Sequence, residues 1–509
     1  MKTDSIEKAR CVLNLLLFST RRTALSVLIF SWLCCGVAWS QAPVPNAPAQ
    51  SSNGSSANYS NSSQSNPGVS LSTQGQNPFL GSVPAGKATA EIIPLSFTDA
   101  INRGLQQNLG LLLSSDSLLS SRGQRWKELS NLLPNLTSSI AENVQTVSLA
   151  QFGFRIPGLP RVVGPFNYLD ARAYGTQSLF NWNYIEKERA AAQNLKQAQY
   201  NYKDARELVV LAVGNAYLQA IAGGARVDAA DAQVRTAQAL YNKAADQQRA
   251  GVTPAIDTLR AQVELQTRQQ QLIVARNDFA KQMLSLARII GLPPGQQFSL
   301  SYKAPYAPLV TPGLEESLQR AYSSRSDYKA AMAQVRAADF SRKAATAGYF
   351  PTLGLEADYG DVGISPFRSN GTYHVGGTLN IPIFQGGRVH GDTLQAEATL
   401  RQARSQLENL RGQIDYDVRS AMLDLNAAAD QVEVARSSLD LAQQTLTQAQ
   451  DRFSAGVADN LEVVQAQESV AAANENYITG LYVHNLAKME FARATGFAEE
   501  GVKQYLKGK

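Results

Sequence analysis

Residues 250–261 read Ala-Gly-Val-Thr-Pro-Ala-Ile-Asp-Thr-Leu-Arg-Ala, and residues 455–466 read Ala-Gly-Val-Ala-Asp-Asn-Leu-Glu-Val-Val-Gln-Ala. Both stretches open with Ala-Gly-Val, carry an acidic residue six positions after the glycine and end in alanine. The same offset aligns Arg288 with Arg493 and Gly291 with Gly496. Similarity of a chain to itself at a fixed offset indicates an internal duplication.

The duplication divides most of the 509-residue chain into two halves of matching order. We predict a first repeat over 94–297, an inter-repeat connection over 298–313, a second repeat over 314–497 and a C-terminal tail over 498–509. Each half reads as helix, proline, alternating segment, phenylalanine, very long helix, Gly-Val break and second helix. Length and repetition together favour one extended repeat architecture over several globular domains.

The longest helices of the two halves are too long for a compact core. Residues 185–249 and 388–454 contain no proline and follow a helical apolar pattern. At 1.5 Å per residue each spans about 100 Å. The helices predicted on either side of these rods are about half as long. Two half-length helices end to end match one rod, which predicts a cylinder wall of rods and stacked pairs.

The segments between proline and phenylalanine alternate instead with period two, which is typical of strands with one apolar face. In residues 135–149, Leu136, Ile140 and Val144 are set against polar neighbours. Residues 372–383 alternate more clearly, with Tyr373 and Val375 on the apolar side. Glycine and proline in 153–165 and 360–371 predict loops, so each half would carry one hairpin.

Four strands are too few to close a channel, but three chains would supply twelve, and strands that cross a membrane must form a closed barrel. The predicted fold is therefore mainly α with a membrane β-barrel. Duplicated long helical hairpins form a trimeric α-barrel, and four strands per chain contribute to a 12-stranded outer-membrane β-barrel. Aromatic residues at the strand ends fit an interfacial girdle. A soluble sandwich with aromatic edges is the alternative.

The N-terminus predicts export. Residues 1–40 combine Arg21 and Arg22, an apolar stretch over 23–37 and small residues before a cleavage site, as in a signal peptide. All three cysteines lie in this segment, so the mature chain would contain none. Residues 41–93 are rich in Ser, Asn, Pro and Gln and predict a disordered linker.

The junction between the last strand and the second rod carries a family motif. Pro382, Ile383, Phe384, Gln385, Gly386 and Gly387 resemble the P-[IL]-F-x-G-G motif of the TolC-like outer-membrane efflux proteins. The paired stretches 250–261 and 455–466 resemble the tip pattern of the same family. The resemblance covers residues 95–497. It implies a homotrimeric outer-membrane channel with a periplasmic extension, which serves a tripartite efflux pump or a type I secretion system.

The resemblance also implies roles for the two breaks. Asp257 and Glu462 would form rings of three at the pore constriction, one turn from Arg260 and Gln465. A carboxylate there also meets the positive end of the helix dipole, so a purely stabilising role stays open. The tips would dock a periplasmic adaptor, which in turn contacts an inner-membrane transporter. The tip residues are Ala250, Gly251, Val252, Ala455, Gly456 and Val457.

Several functions are not supported by the sequence. No nucleophile, metal or cofactor motif stands in its structural context, so we predict a non-enzyme that needs no cofactor or metal. Most of the excess positive charge lies in the signal peptide, which gives no nucleic-acid footprint. The remaining alternatives are a periplasmic adaptor and a coiled-coil structural protein of the envelope. Neither explains two full repeats with alternating segments.

Overall fold

The structure is a computed structural model that describes residues 77–149, 153, 160–302, 306–309, 312–365, 367–458 and 460–505. The predicted signal peptide and residues 41–76 of the predicted linker lie outside the described residues. Within the described ranges the helices are α1 (Phe97–Gln107), α2 (Leu109–Ser130), α3 (Trp182–Arg249), α4 (Ala255–Ile289), α5 (Leu314–Ser324), α6 (Ser326–Thr346), α7 (Arg388–Ser454), α8 (Asn460–Ala494) and α9 (Ala498–Tyr505). The strands in those ranges are β1 (Ile93–Leu95), β2 (Asn135–Ser148), β3 (Val162–Phe180), β4 (Phe298–Leu300), β5 (Thr352–Ser365) and β6 (Arg368–Asn380).

The two rods predicted from the sequence are α3 and α7, with 68 and 67 residues. Each is about 100 Å long. α3 starts after Asn181, whose side chain accepts a hydrogen bond from the backbone amide of Tyr184 at 3.3 Å. α7 starts after Gly387, which has a left-handed φ of 83°. Neither rod contains proline, so nothing interrupts the backbone ladder over its length.

Stacked half-length helices lie beside the rods, as the sequence predicts. On the side of the sheet, α2 packs on α3, and α6 packs between α3 and α7. On the opposite side, α4 packs on α3, and α8 packs between α3 and α7. The part of the chain that the structure describes therefore forms a wall that is four helices wide at both levels. The outer helices of this wall are α2 and α4 at one edge and α7 at the other.

Short elements surround the rods at mid-length, and we call this region the collar: α1, α5, α9, β1 and β4. α1 packs on α3, α5 packs on α7, and α9 contacts both α3 and α8. β1 and β4 pair in parallel. The largest apolar core lies here, around the fully buried side chains of Val209, Val213 and Tyr217 of α3. The collar thus holds the two repeats together where the helical pairs meet.

The remaining strands form an antiparallel sheet in the order β2-β3-β5-β6 among the described residues. β2 and β3 belong to the first repeat, and β5 and β6 belong to the second. The central β3–β5 pairing, with Arg172 opposite Gly360, joins the two hairpins. The four-stranded contribution predicted from the sequence is therefore present as one continuous sheet.

One stretch of α3 is apolar enough to cross a membrane by length and composition. More than half of that 18-residue window is buried inside the protein, and Val209, Val210 and Val213 of this helix are fully buried. Burial of this kind is what a core helix produces. We interpret the stretch as the core of the collar.

The prediction of a disordered linker over 41–93 is wrong for residues 77–93. The ring of Phe79 packs so closely on Gly110 that a β-carbon there would lie 2.5 Å from the ring. The carbonyl of Phe79 also accepts a hydrogen bond from the side chain of Asn108 at 2.7 Å. A few tertiary contacts of this kind fix a segment whose composition alone indicates disorder. β4 in the connection and α9 in the tail are likewise absent from the sequence prediction.

Two predicted helices are each divided, and two predicted loops are shorter than expected. The helix over 97–131 breaks at Asn108, whose side chain caps α2 through the amide of Gly110 at 2.9 Å. The helix over 315–348 breaks at Arg325, at the corresponding place in the second repeat. Strands β3, β5 and β6 extend into the loops predicted over 153–165 and 360–371, because backbone pairing tolerates glycine there.

Candidate functional site

The two helix breaks have the same geometry in both repeats. At the first tip, Gly251 has φ 75°, and the amide of Val252 donates to the carbonyl of Gln247 at 3.0 Å. At the second tip, Gly456 has φ 75°, and the amide of Val457 donates to the carbonyl of Arg452 at 3.1 Å. This is the Schellman arrangement, which needs a residue that tolerates the left-handed conformation. The repeated Ala-Gly-Val sequence therefore ends both rods in the same way.

The tips present small side chains around one exposed valine each. A β-carbon added at Gly251 or Gly456 would meet no atom within 4 Å. Val252 is 71% exposed, and Val457 is 68% exposed. Ala250 and Ala455 precede the glycines and add little bulk. Each tip is therefore a low apolar surface that another backbone can approach closely.

The four residues predicted at the constriction do not occupy equivalent environments. Asp257 is buried within the chain, and Arg260 lies 3.6 Å from its carboxylate. Glu462 is partly exposed, and its carboxylate lies 3.4 Å from the guanidinium of Arg452 across the tip. Gln465 is exposed. The sequence alignment did not predict Arg452 as a partner, because that contact depends on how α7 and α8 pack.

The sheet has one apolar and one polar face, as the alternation predicts. Leu136 of β2 stands in register with Gly175, Ala357 and Val375 of the other strands. Residues that stand opposite one another across paired strands share a face. This face also carries exposed large side chains, and Glu142 and Asp361 add charge to it toward the loops. The exposed large side chains are Leu136, Ile140, Val144, Tyr359, Tyr373, Val375 and Leu379.

Charged groups cluster on the opposite face. The guanidinium of Arg172 on β3 donates to Asp170 at 3.2 Å and to Thr372 of β6 at 3.0 Å, and it also contacts Asp358 of β5. His374 lies 3.6 Å from the second oxygen of Asp358. This cluster links strands of both repeats. Sequence reasoning predicted the polar side of β6 but missed Arg172, because its partners are defined by strand register.

The strand-to-helix junction lies where the sequence predicts it. Pro382, Ile383 and Phe384 follow β6, and α7 begins directly after Gly387. Gly386 and Gly387 have φ of 60° and 83°, which only glycine adopts at low cost. Ile383 and Phe384 are almost fully exposed in the single chain. The motif thus turns the chain from the sheet into the rod and leaves two large apolar side chains at the surface.

An ion-pair network in the collar ties the repeats together. Arg493 of α8 contacts Asp204 at 2.5 Å and Glu207 at 2.9 Å, both on α3. Burial raises the pKa of Asp204 and of Glu207 although the guanidinium favours their charged forms. The network therefore stabilises the inter-repeat contact against a desolvation cost.

The collar also contains a buried histidine. His484 of α8 is fully buried, and the centre of its ring lies 5.0 Å from that of Tyr306, with the two planes tilted by 44°. Burial lowers the pKa of His484 to about 4, and the positive charge of Lys488 acts in the same direction. Burial also lowers the pKa of Lys488 to about 8, and its ammonium donates to the carbonyl of Ala307. His374 and His390 are exposed. No group of acidic, histidine or cysteine side chains suited to a metal occurs among the described residues.

Long paired helices that end in matched tips at one side, and in a sheet with one exposed apolar face at the other, define a class of protein. It is the outer-membrane channel subunit with a helical periplasmic extension. A family model described as outer membrane efflux protein matches residues 170–292 and 317–496, and the chain belongs to this family.

Individual relatives agree with this assignment. The chain is similar to outer membrane protein TolC of Vibrio cholerae, with 20% identity over 72% of this chain and 85% of the relative. It is also similar to outer membrane efflux protein BepC of Brucella suis, with 24% identity over 76% and 88%. Among solved structures, outer membrane protein VceC of Vibrio cholerae has a TM-score of 0.68 and 19% identity, over 79% of this chain and 96% of that one.

Family membership decides between the alternatives left open by the sequence. The protein is an outer-membrane channel subunit, and a periplasmic adaptor or a coiled-coil structural protein is not supported. The predicted TolC-like resemblance is confirmed, as is the predicted location in the outer membrane. The members of this family are channel proteins and not enzymes.

Proposed function

We propose that three copies of this chain assemble into one continuous channel that crosses the outer membrane and extends into the periplasm. The observation that carries this proposal is the sheet with one exposed apolar face and one charged face. β2 and β6 are the outer strands of that sheet in the described residues, and lipid cannot hydrogen-bond to their outer edges. Three sheets joined edge to edge give a closed barrel of twelve strands.

Apolar side chains on the outer helices support the same assembly. Leu423, Val434 and Leu441 on α7 are exposed, and their spacing returns to one face of the helix. Ile256, Leu259 and Val263 are exposed along one face of α4, at the opposite edge of the wall. A second copy is the occupant that these stripes fit, because the adjoining edges of the sheet need the same partner. Three walls of four helices then form the α-barrel.

One experiment tests both the proposed trimer and the proposed β-barrel. The purified, unboiled protein is weighed by native mass spectrometry and then inserted into a planar lipid bilayer. We expect the mass of three mature chains and a stable single-channel conductance. A folded monomer that does not insert would contradict the proposed assembly.

At the tips we propose a docking site for a periplasmic adaptor, formed by Ala250, Gly251, Val252, Ala455, Gly456 and Val457. Close approach of helices requires small residues at the contact, and the open space around Gly251 and Gly456 allows it. The adaptor would link this duct to an inner-membrane transporter that delivers the substrates of an efflux pump or of a secretion system. The channel itself would be a passive exit.

The docking site is tested without straining the backbone. Exchanging Val252 and Val457 for glutamate retains both glycines and adds charge to the tips. Export should be lost, whereas the mass of the trimer should not change. Glutamate at Leu284, which is exposed on α4 far from the tip, is the matched control. Normal export by the tip variant would rule out a tip-to-tip contact.

We further propose that Asp257, Arg260, Glu462 and Gln465 line the periplasmic constriction. Rings of charged side chains select ions by electrostatics. Glu462 is the more accessible acid, so the exchange Glu462→Gln should lower cation preference more than Asp257→Asn does. Reversal potentials across a salt gradient measure both. Equal ion selectivity in wild type and both variants would remove the two acids from the constriction.

A further inference from the structure

The charged face of the sheet carries more acidic than basic side chains near the middle of its strands. Residues in register share a face, and the rows through Arg172 and through Asp358 are adjacent. Asp170 and Glu356 stand on the rows that flank them. Three carboxylates therefore face a single guanidinium near the middle of the strands. Because the rows are consecutive, the charges form a band across β3 and β5.

The cluster is organised around Arg172. Its side chain is only 17% exposed and that of Asp358 only 15%, even in a single sheet that faces solvent. Arg172 reaches strands of both hairpins, so its position is fixed from three sides. The side chains of Glu356 and His374 are exposed beside it. Because Arg172 is fixed and the carboxylates outnumber it, the cluster has a net negative charge at a fixed position along the strands.

We propose that this band is a second ion-selective layer of the channel, in the lumen of the β-barrel and remote from the periplasmic tips. The inference rests on the proposed trimeric barrel, which turns the apolar face to lipid and the charged face to the lumen. Threefold symmetry repeats the band around the lumen. A ring of acidic side chains raises the local concentration of cations and disfavours anions. Cationic and neutral cargo would therefore pass the barrel more easily than anionic cargo.

The proposal makes predictions of opposite sign for substitutions within one cluster. Exchanging Glu356 for glutamine removes one exposed carboxylate per chain without touching the contacts of Arg172. Exchanging Arg172 for glutamine removes the only opposing guanidinium of the band. We expect the cation-to-anion permeability ratio to fall by about twofold in the first variant and to rise by about twofold in the second, as charged rings in pores predict.

Glu142 provides the matched control. It is an exposed carboxylate of the same sheet, but its register with Leu169 and Gly363 puts it on the apolar face. The exchange Glu142→Gln changes the net charge of the chain as Glu356→Gln does. It should leave the permeability ratio unchanged, because the side chain would not face the lumen.

The experiment measures reversal potentials of the full trimer in a planar bilayer across a potassium chloride gradient. Opposite shifts for Glu356→Gln and Arg172→Gln, with no shift for Glu142→Gln, are the expected result. If the Arg172→Gln variant does not insert into the bilayer, the comparison of Glu356→Gln with Glu142→Gln still tests the proposal. If the channel conducts but Glu356→Gln and wild type have equal cation-to-anion permeability ratios, the proposed ion-selective layer in the lumen is wrong and the barrel still stands. A wild-type protein that does not conduct overturns the barrel on which it rests.

Discussion

Removing the charge of Arg493 should weaken the collar by disrupting the contact between the repeats. The guanidinium contacts Asp204 at 2.5 Å and Glu207 at 2.9 Å, and the three side chains are between 12% and 21% exposed. The exchange Arg493→Met keeps most of the side-chain volume and removes both ion pairs. Two largely buried carboxylates then lose the cation that compensates their desolvation.

The magnitude follows from that burial. Removing one partner of a buried ion pair costs about 3–5 kcal/mol, whereas an exposed pair contributes about 0–1 kcal/mol. Because these side chains retain some contact with water, we expect the lower end, about 3 kcal/mol. With an unfolding entropy of about 2 cal/mol/K per residue, this lowers the melting temperature of a chain this long by about 3 °C.

The sign of the pH dependence separates lost charge from lost packing. Burial raises the pKa of Asp204 and of Glu207 in the folded state above the ordinary values of 3.8 and 4.5. The native state therefore binds more protons, and its stability falls as pH rises through the folded pKa. Without Arg493 both pKa values rise further. The loss of stability in Arg493→Met, relative to wild type, should be largest at neutral pH. It should become smaller as the carboxylates are protonated toward pH 5.

Thermal melting of the purified trimer at pH 7.5 and pH 5 measures both effects. The matched control is Arg206→Met, because Arg206 pairs with Glu499 in the same collar but both side chains are about one-third exposed. The control should lose less than about 1 °C. A deficit for Arg493→Met that is the same at both pH values would show that packing is lost and would refute the charge argument.

Two further predictions concern the collar and the helices beside it. The pKa of His484 is about 4, below the 6.5 of an exposed histidine, so the folded protein loses stability as pH falls from 6.5 toward 4. The loss should reach about 2 kcal/mol at pH 5. In melting curves, His484→Leu should remove this pH-dependent loss, and the control His390→Leu should not. A β-carbon at Gly104 would lie 2.5 Å from the side chain of Val213, so Gly104→Ala should destabilise by about 1–3 kcal/mol. Gly123 lies at an open position of α2, so Gly123→Ala should instead stabilise the protein by up to about 1 kcal/mol. Denaturant unfolding compares the two variants, and destabilisation by Gly123→Ala as well would contradict the assignment of the loss at Gly104 to its contact with Val213.

Periodicity predicted the large elements of this fold because they are long. The ends of α7 agree with the sequence prediction, and the apolar sides of β2 and β6 were assigned correctly from alternation. The same reasoning missed the helix breaks at Asn108 and Arg325, because neither residue is a proline or a glycine. β1 and β4 have three residues each, too few for any period to be visible.

Some features of the candidate sites could be predicted from the sequence, and others depend on tertiary packing. The tips could be located because their turn geometry requires glycine, and Gly251 and Gly456 adopt the same φ. The environments of Asp257 and Glu462 could not be distinguished, because burial at the tip depends on how neighbouring helices pack. The cluster around Arg172 has no signature along the chain. Its members come together only once the register of strands from both repeats is known.

The collar has a mechanical consequence for the helices that hang from it. α8 contains 35 residues and is therefore about 52 Å long, and its upper end is tied by Arg493. Such a helix can rotate about the end that is fixed by Arg493. A tilt of about 5° would move the far end by about 5 Å while the collar scarcely shifts. A partner that contacts only the first turn of α8, at the tip, would therefore produce a large displacement there from a small rotation at the collar.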